Sequence, residues 1–452
     1  MKLFNSLTKK KENLVTIVPN EIKMYVCGQT VYDYCHLGHA RKAVVFDMIR
    51  RWFIASNYKV TFVENITDID DKIIKRANEN DESIYQLTER FINLMYEDFD
   101  RLGVMRPDVQ PKATQYIPQM INLIQSLIDK DYAYLANNGD VYYRVRKFDG
   151  YGKLSGKTLD DLRAGERVEL DQNKEDPMDF VLWKSSKDNE PFWDSPFGKG
   201  RPGWHIECSA MSEDILGKNF DIHGGGQDLQ FPHHENEIAQ SEAHNNCQFA
   251  NYWLHNGFLN INDEKMSKSL GNFFTLRDVL NEYNAEVIRF FMLRTHYRSP
   301  LNFSHDSLID TKNSLTRIYQ ALRNYELVDN LPIDWNNPFA KKFKDAMDDD
   351  FNSSLAISVL FELVTEINSE TNQELAQLLL SLANLIGLLT NDPQKFLQGD
   401  DVDVNHVENL ISQRNKARAE RNFNLSDQIR NELLSIGITL EDSVNGTIWR
   451  KV

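Results

Sequence analysis

The sequence predicts an α/β protein: a parallel sheet with crossover helices, split by an insertion and followed by an α-helical bundle and a small C-terminal module. Short β-rich runs at 22–26 and 60–66 are each followed by turn residues and then a helical pattern, 41–53 and 70–76, the alternation that builds parallel sheets. Residues from about 110 to 200 change character, with Gly150, Gly152, Gly156, Pro177, Pro191 and Pro196 among scattered aromatics, as an insertion does. From about 305 onward the pattern is helical, and Leu375, Leu378, Leu379, Leu382, Leu385, Ile386 and Leu389 fall on one helix face.

The expected boundaries are 1–110 for the first half of the α/β domain, 111–200 for the insertion, 201–305 for the second half, 306–395 for the bundle and 396–452 for a linker with a terminal module. Strand and turn signals resume near 219–226. The segment 391–405 is polar, holds Pro393, Gly399 and three aspartates, and reads as the linker. No internal repeat or low-complexity tract is present.

At 452 residues the chain is longer than one core usually supports. No apolar run approaches the roughly 18 to 20 residues needed to cross a bilayer, and residues 1–16 lack the apolar stretch of a secretory signal. A cytoplasmic protein with no membrane partner is therefore expected. Four cysteines, at 27, 35, 208 and 247, are too sparse for a disulfide framework. The net charge of −16 opposes a chain coated in basic surface, so any nucleic-acid contact has to be local.

After the strand ending at Cys27, the segment His36-Leu37-Gly38-His39 opens the amphipathic helix 40–53. Two imidazoles at a helix N-terminus suit phosphate, because unpaired N–H groups and the helix dipole attract anions there, and Gly38 permits close approach. By spacing alone they read equally as capping or packing histidines. Lys265-Met266-Ser267-Lys268-Ser269 brings two ammonium groups three residues apart, able to bracket a triphosphate as its charge develops. Gly156-Lys157-Thr158 imitates the end of a phosphate loop, but Tyr151 stands where the first glycine is needed, so a Walker-type site is rejected.

Together the two motifs resemble those of class I aminoacyl-tRNA synthetases. The resemblance implies a Rossmann-like catalytic domain, catalytic roles for His36, His39, Lys265 and Lys268, and ATP binding through these residues with Gly38 and Ser267, with Mg²⁺ accompanying ATP. The amino-acid carboxylate would attack the α-phosphate, the protein supplying position and charge rather than a covalent nucleophile.

Cys27, Cys208 in Gly203-Trp204-His205-Ile206-Glu207-Cys208, and His233 with Glu237 in Phe231-Pro232-His233-His234-Glu235-Asn236-Glu237 form a borderline-soft donor set suited to Zn²⁺. From spacing alone the cysteines read as small buried hydrophobes, and His233 with Glu237 as a helical pair. At all four positions, and in Met24-Tyr25-Val26-Cys27-Gly28, the chain resembles the cysteinyl-tRNA synthetase family. That implies one zinc per chain, binding the thiol of L-cysteine, and an amino-acid pocket of Thr67, Trp204, His223 and Asp228, with Asp228 facing the substrate ammonium. His234 is expected beside the metal set, and Cys35 and Cys247 outside it. Asp68, Asp70 and Asp71 read as helix-capping acids.

Residues 411–452 hold seven basic against five acidic side chains. A basic helix with Trp449 nearby could grip a single-stranded loop, or be an ordinary charged helix. The resemblance reaches the 418–430 helix and Gly446-Thr447-Ile448-Trp449-Arg450, implying anticodon contacts by Arg418, Arg421, Asp427, Arg430 and Trp449. It also covers Asp348-Asp349-Asp350-Phe351-Asn352, which reads physically as a helix start. The partners implied are tRNA(Cys), L-cysteine and ATP, with the protein acting as a monomer. A ligase passing cysteine to a small amine, and a noncatalytic zinc-containing RNA-binding protein, stand as alternatives; the C-terminal extension weighs against the first and the intact motifs against the second.

Overall fold

The computed structural model describes residues 1–158, 172–188, 190–262, 264–265, 274–329, 331–399, 402–443 and 446–451. By contacts the chain divides into one unit of residues 1–305 and 342–356 and a second of 306–341 and 357–452.

The first unit opens with an antiparallel hairpin of β1 (Lys2–Asn5) and β2 (Lys10–Asn13). Its central sheet contains β3 (Glu21–Thr30) and β4 (Lys59–Thr67), joined by the 19-residue helix α1 (Leu37–Ala55). Helices α2 (Asp71–Glu79), α3 (Ile84–Arg101) and α4 (Ile117–Asp129) follow. Strands β5 (Ala133–Leu135), β6 (Val141–Tyr143), β7 (Phe180–Ser185) and β8 (Gly200–Pro202) form a separate antiparallel sheet over much of the predicted insertion. The chain returns through α5 (Trp204–Leu216), β9 (Phe220–Gly226), α6 (Glu235–Asn245) and β10 (Ala250–Asn256). The central sheet runs β10-β9-β3-β4, every pairing parallel, so the predicted parallel sheet is present. Strand ends on one edge of such a sheet form the usual ligand crevice.

β11 (Leu259–Ile261) pairs antiparallel with β12 (Glu264–Lys265) and parallel with β13 (Leu301–Phe303). Helices α7 (Leu276–Glu282) and α8 (Ala285–Leu293) lie between them in sequence.

The helix start expected at 348–352 falls on Asn352, whose Oδ1 accepts the Leu355 N–H at 3.1 Å, while the three acids serve other ends. Asp348 ends α10 (Pro338–Asp348), α11 begins only at Ser353 (Ser353–Ser369), and Asp350 and Phe351 turn left-handed at φ 64° and 51°. Asp350 is fully buried and gathers the Phe4 N–H at 2.8 Å, the Tyr297 hydroxyl at 2.9 Å and Arg298 Nε at 2.7 Å. Of the other acids, Asp70 does cap α2 through the Lys72 N–H, whereas Asp68 holds Thr114 and Asp71 pairs with Lys184 and Arg201.

The second unit carries most of α9 (His305–Leu322) and of α11, with α12 (Gln373–Asn384), α13 (Pro393–Gln398), α14 (Val404–Ala419), α15 (Phe423–Ser435) and the hairpin of β14 (Ile438–Ser443) and β15 (Gly446–Lys451). Leu379, Leu382 and Ile386 are fully buried, as the helical stripe requires. The predicted linker contains α13, started by Pro393 in its first turn and capped by Asp392, because proline at that position gives up no hydrogen bond. Val407, Leu410, Ile411, Ile429, Leu433, Ile438 and Trp449 close the small C-terminal core.

Candidate metal centre and active site

Helix α1 starts on imidazoles. His36 is the N-cap, its Nδ1 accepting the N–H of Gly38 at 3.1 Å and of His39 at 3.4 Å, while His39 Nδ1 accepts the N–H of His36 at 3.3 Å. The rings stack with centroids 3.7 Å apart. This is a capping box built from two histidines, and it corrects one expectation: the N–H groups of Gly38 and His39 are not left open for an anion. The rings themselves stand at the positive end of the helix. Burial, then His36 and Lys42, hold His39 well below the usual imidazole range, so it is neutral at pH 7.

The dilysine segment is described only in part. Lys265 lies on β12 with its backbone opposite Asn260, while Ser267 and Lys268 fall outside the described residues. Just beyond the segment, Thr275 bridges to His36, and the Leu276 N–H donates to the Cys35 carbonyl at 2.7 Å.

Cys27 sits at an irregularity in β3, where the register with β4 slips between Val26 and Gln29. Such slips re-aim a side chain. The next residue must be glycine: a Cβ on Gly28 would lie 1.6 Å from the Asn65 carbonyl oxygen. Cys208 is presented by the first turns of α5. His233 lies in the wide turn Gln230–His234 preceding α6, and Glu237 in the first turn of that helix.

These four side chains converge. Cys27 Sγ is 3.6 Å from Cys208 Sγ and 3.4 Å from Glu237 Oε1, His233 Nε2 is 3.0 Å from Glu237 Oε1, and Cys208 Sγ is 3.6 Å from His233 Nε2. Bonds of about 2.0 to 2.3 Å to one tetrahedral ion place neighbouring donors roughly 3.3 to 3.8 Å apart, close to these edges. All four are buried, where such groups stay neutral or gather round a cation. Burial, reinforced by Cys208 and Glu237, pushes the Cys27 thiol well up; burial also raises Cys208 and lowers His233. The neutral imidazole is a competent ligand, and a dication would draw the thiols to thiolates. The cluster could hold a metal ion. An overlapping set shares Cys27 and Glu237 but uses His223 and His234, replacing one sulfur and one imidazole by two imidazoles.

Neighbours orient the donors. His205 Nδ1 meets His233 Nδ1 at 2.9 Å, and Trp204 stacks on His233 at 4.0 Å. Partners of this kind fix the ring and its tautomer. His223, predicted in the amino-acid pocket, is fully buried with Nε2 2.7 Å from Glu237 Oε2 and its ring on Trp253. His234 turns to His255 at 2.9 Å, and His255 to the Ser6 hydroxyl at 2.8 Å. The Thr67 hydroxyl donates to Glu207 Oε2 at 2.7 Å. Trp204 is 38% exposed, and Asp228 is exposed in the turn Gln227–Leu229. Cys35 and Cys247 stand outside both donor sets. His205, Glu207, Asn65 and His255 escaped the sequence reading; the first two lie within three residues of Cys208, and that adjacency was the only available signal.

In the C-terminal unit the predicted 418–430 helix is broken. Helix α14 ends at Ala419, Arg421 turns left-handed at φ 58°, and Asn422 caps α15. Arg418 pairs with Asp442 at 2.5 Å, while Arg421, Asp427 and Arg430 are exposed. Trp449 is corrected: it is 3% exposed in the core, its indole N–H donated to Glu408 at 2.7 Å. A ring so covered presents no face to a base.

Solved structures share the fold. The Mycobacterium tuberculosis methionyl-tRNA synthetase in complex with methionyl-adenylate is 13% identical over 81% of this chain and 89% of that one, with a TM-score of 0.57. A ternary leucyl-tRNA synthetase complex of Agrobacterium radiobacter is 11% identical over 85% and 86%, with a TM-score of 0.58. At these identities the likeness is one of fold, and with the histidine-started helix it marks the architecture of class I aminoacyl-tRNA synthetases. Residues 13–313 match the family of tRNA synthetases class I (C) catalytic domains, and residues 342–390 match the DALR domain. The chain belongs to this class I (C) family. Proteins named cysteine–tRNA ligase are similar along the whole length: that of Methylobacillus flagellatus is 60% identical over 100% of both chains, and that of Laribacter hongkongensis 59% over 99% of both.

Proposed function

We propose that this protein is a cysteine–tRNA ligase that activates L-cysteine with ATP to cysteinyl-adenylate and transfers the cysteinyl group to tRNA(Cys). The observation that carries the reading is the convergence of Cys27, Cys208, His233 and Glu237 in a family whose full-length relatives bear that name. The DALR match over residues 342–390 favours tRNA over a small amine as acceptor.

The resident metal is zinc, because two sulfurs with one imidazole and one carboxylate form a borderline-soft set. A bound zinc ion supplies a soft Lewis acid that prefers a thiolate to a hydroxyl, where pocket shape alone separates near-isosteres by only about 10 to 200-fold. Trp204 and Thr67 line the cysteine pocket, His223 steadies Glu237, and Asp228 is the acid assigned to the substrate ammonium. His36, His39, Lys265 and Lys268 hold the triphosphate with Gly38 and Ser267, stabilising charge as pyrophosphate departs. Mg²⁺ enters with ATP. Arg418, Arg421, Asp427 and Arg430 serve the tRNA end. No helix of the described residues is long and apolar enough to cross a membrane, and the cytoplasm, with a monomer at work there, is the setting this reading assigns.

Cysteine-dependent exchange of pyrophosphate into ATP, with and without a zinc chelator, followed by cysteine charging of total tRNA, tests the reading. Exchange that needs zinc, and charging that follows it, are expected; absence of exchange would end it.

A further inference from the structure

Where α9 ends against the C-terminal hairpin, a cleft of about 280 Å³ has walls whose charges do not balance. It is lined by Arg317, Gln320, Ala321 and Arg323, by Asn368 of α11 and by Glu441 of β14, all within the second unit. Arg317, Gln320 and Arg323 follow at intervals of three, a spacing that stacks side chains along one side of a helix.

The carboxylate in this lining is already spent. Glu441 Oε2 accepts from Arg323 Nη2 at 2.6 Å, and its Oε1 accepts from Arg450 Nε at 3.3 Å. Arg323 Nε is buried and meets no acceptor among the described residues. Arg317 makes no hydrogen bond or ion pair with a described residue, its Cζ lying only over the Phe361 ring at 5.9 Å. The amides of Gln320 and Asn368 are likewise without a described partner. Arg323 follows the last residue of α9, where the helix dipole itself favours a cation. Arg317 stands more than a turn earlier, and the dipole gives no such account of it.

Donors and cationic charge in excess select an anion, and guanidinium forks match the paired oxygens of a phosphate. Pockets that enclose a whole small molecule measure about 300–1,000 Å³; this cleft falls just short, and suits one group of a larger partner. Asn368 lies within the DALR match, in the unit to which the reading above brings tRNA, so RNA is favoured over an acidic protein segment. We propose that the cleft is a phosphate site for the tRNA backbone, with Arg317 and Arg323 as its cations and Gln320 and Asn368 as supporting donors. The inference rests on the tRNA-ligase reading above.

The test is binding of tRNA(Cys) to the full-length protein, followed from about 50 to 200 mM salt. Arg317→Gln should weaken tRNA about tenfold at the lower salt and make the logarithmic salt dependence shallower by about one. Noncognate tRNA should lose as much, because a phosphate contact carries no sequence, while cysteine-dependent pyrophosphate exchange stays unchanged. Arg317→Lys keeps the charge and should keep the salt slope. Asn368→Ala removes a neutral donor and should weaken tRNA at an unaltered slope. Equal tRNA binding by wild type and Arg317→Gln, or a loss with no change of slope, overturns the proposal. So does binding of inorganic phosphate or of polyglutamate that depends on Arg317 while tRNA ignores it, which would give the cleft to a free anion or to an acidic protein. Should Arg317→Gln fail to fold, Asn368→Ala decides: weaker tRNA supports the site and unchanged tRNA overturns it. A wild-type protein that binds no tRNA would instead sink the functional reading, and this site with it.

Discussion

Two sulfurs 3.6 Å apart, with a carboxylate 3.4 Å from one of them, crowd a space from which water is excluded. Such a group of donors stays neutral or gathers round a cation. Replacing Cys208 by serine exchanges a soft donor for a hard one at unchanged shape. Metal affinity should fall by at least about tenfold, read by competition with a chromophoric chelator; an unaltered affinity would remove Cys208 from the donor set. At the nucleotide end, Lys268→Ala should lower adenylate formation by about a hundredfold or more, because a charge matched to the departing pyrophosphate acts mainly in the transition state. Cysteine binding by equilibrium titration should be unchanged, and an equal loss in both would contradict that role. The four candidate donors were gathered from the sequence by resemblance to a family, since spacing alone read them as buried thiols and a helical pair. Their supports were not: Glu207 reads as an ordinary helical acid until Thr67, 140 positions away, is seen at its carboxyl.

Helix α1 brings the histidine pair and the metal-bearing strand together. On it, Lys42 Nζ donates to the Cys27 carbonyl at 2.9 Å and to Glu64 at 2.5 Å, and the buried Arg41 bonds the carbonyls of Tyr297 and Ser299. One turn further, Asp47 meets Arg289 of α8 and Arg51 in a pocket where Asp47 and Arg289 side chains are 1% and 2% exposed. Burial alone would raise the Asp47 carboxyl; Arg289, Arg51 and the Met105 N–H outweigh it and hold it below the usual range. Asp47→Asn leaves Arg289 charged and buried, which should cost about 3–5 kcal/mol in unfolding free energy. Because the folded value lies below the unfolded one, this stabilisation is full above about pH 4 and fades as pH falls further. Denaturant midpoints across that range should therefore drop more steeply in the wild type than in Asp47→Asn; parallel slopes would mean the pair contributes nothing through ionisation. Strand and helix periodicity foretold these elements. The role of Asp350 within the 348–352 cluster was not legible because its partners, Phe4, Tyr297 and Arg298, lie at least 52 positions away.

For the molecule as a whole, the four converging side chains come from β3, α5 and the start of α6, all in the first unit, so an ion bound among them would couple its binding to the folding of that unit. At free zinc one hundred times the dissociation constant, the ion should add about 2.7 kcal/mol to its stability. Calorimetry in zinc-buffered solution, with the metal then withdrawn by a chelator, should show the transition of that unit falling; a transition indifferent to zinc would refute a preformed metal site. The formal charge of −16 coexists with a seven-to-five basic excess in residues 411–452, so an acidic protein can still present a cationic end to RNA.

Alternating strand and helix patterns, the paired histidines, the dilysine segment and the scattered thiols are local in the chain, and local order suffices to declare an α/β synthetase. What only the tertiary structure decided is where hydrogen bonds end: that Nδ1 atoms of His36 and His39 are spent on a helix cap, that Trp449 faces a core, and that Glu207 meets the Thr67 hydroxyl. Direction and occupancy of a hydrogen bond depend on which distant residue arrives at a given atom, and composition or spacing along a chain carries no record of that arrival.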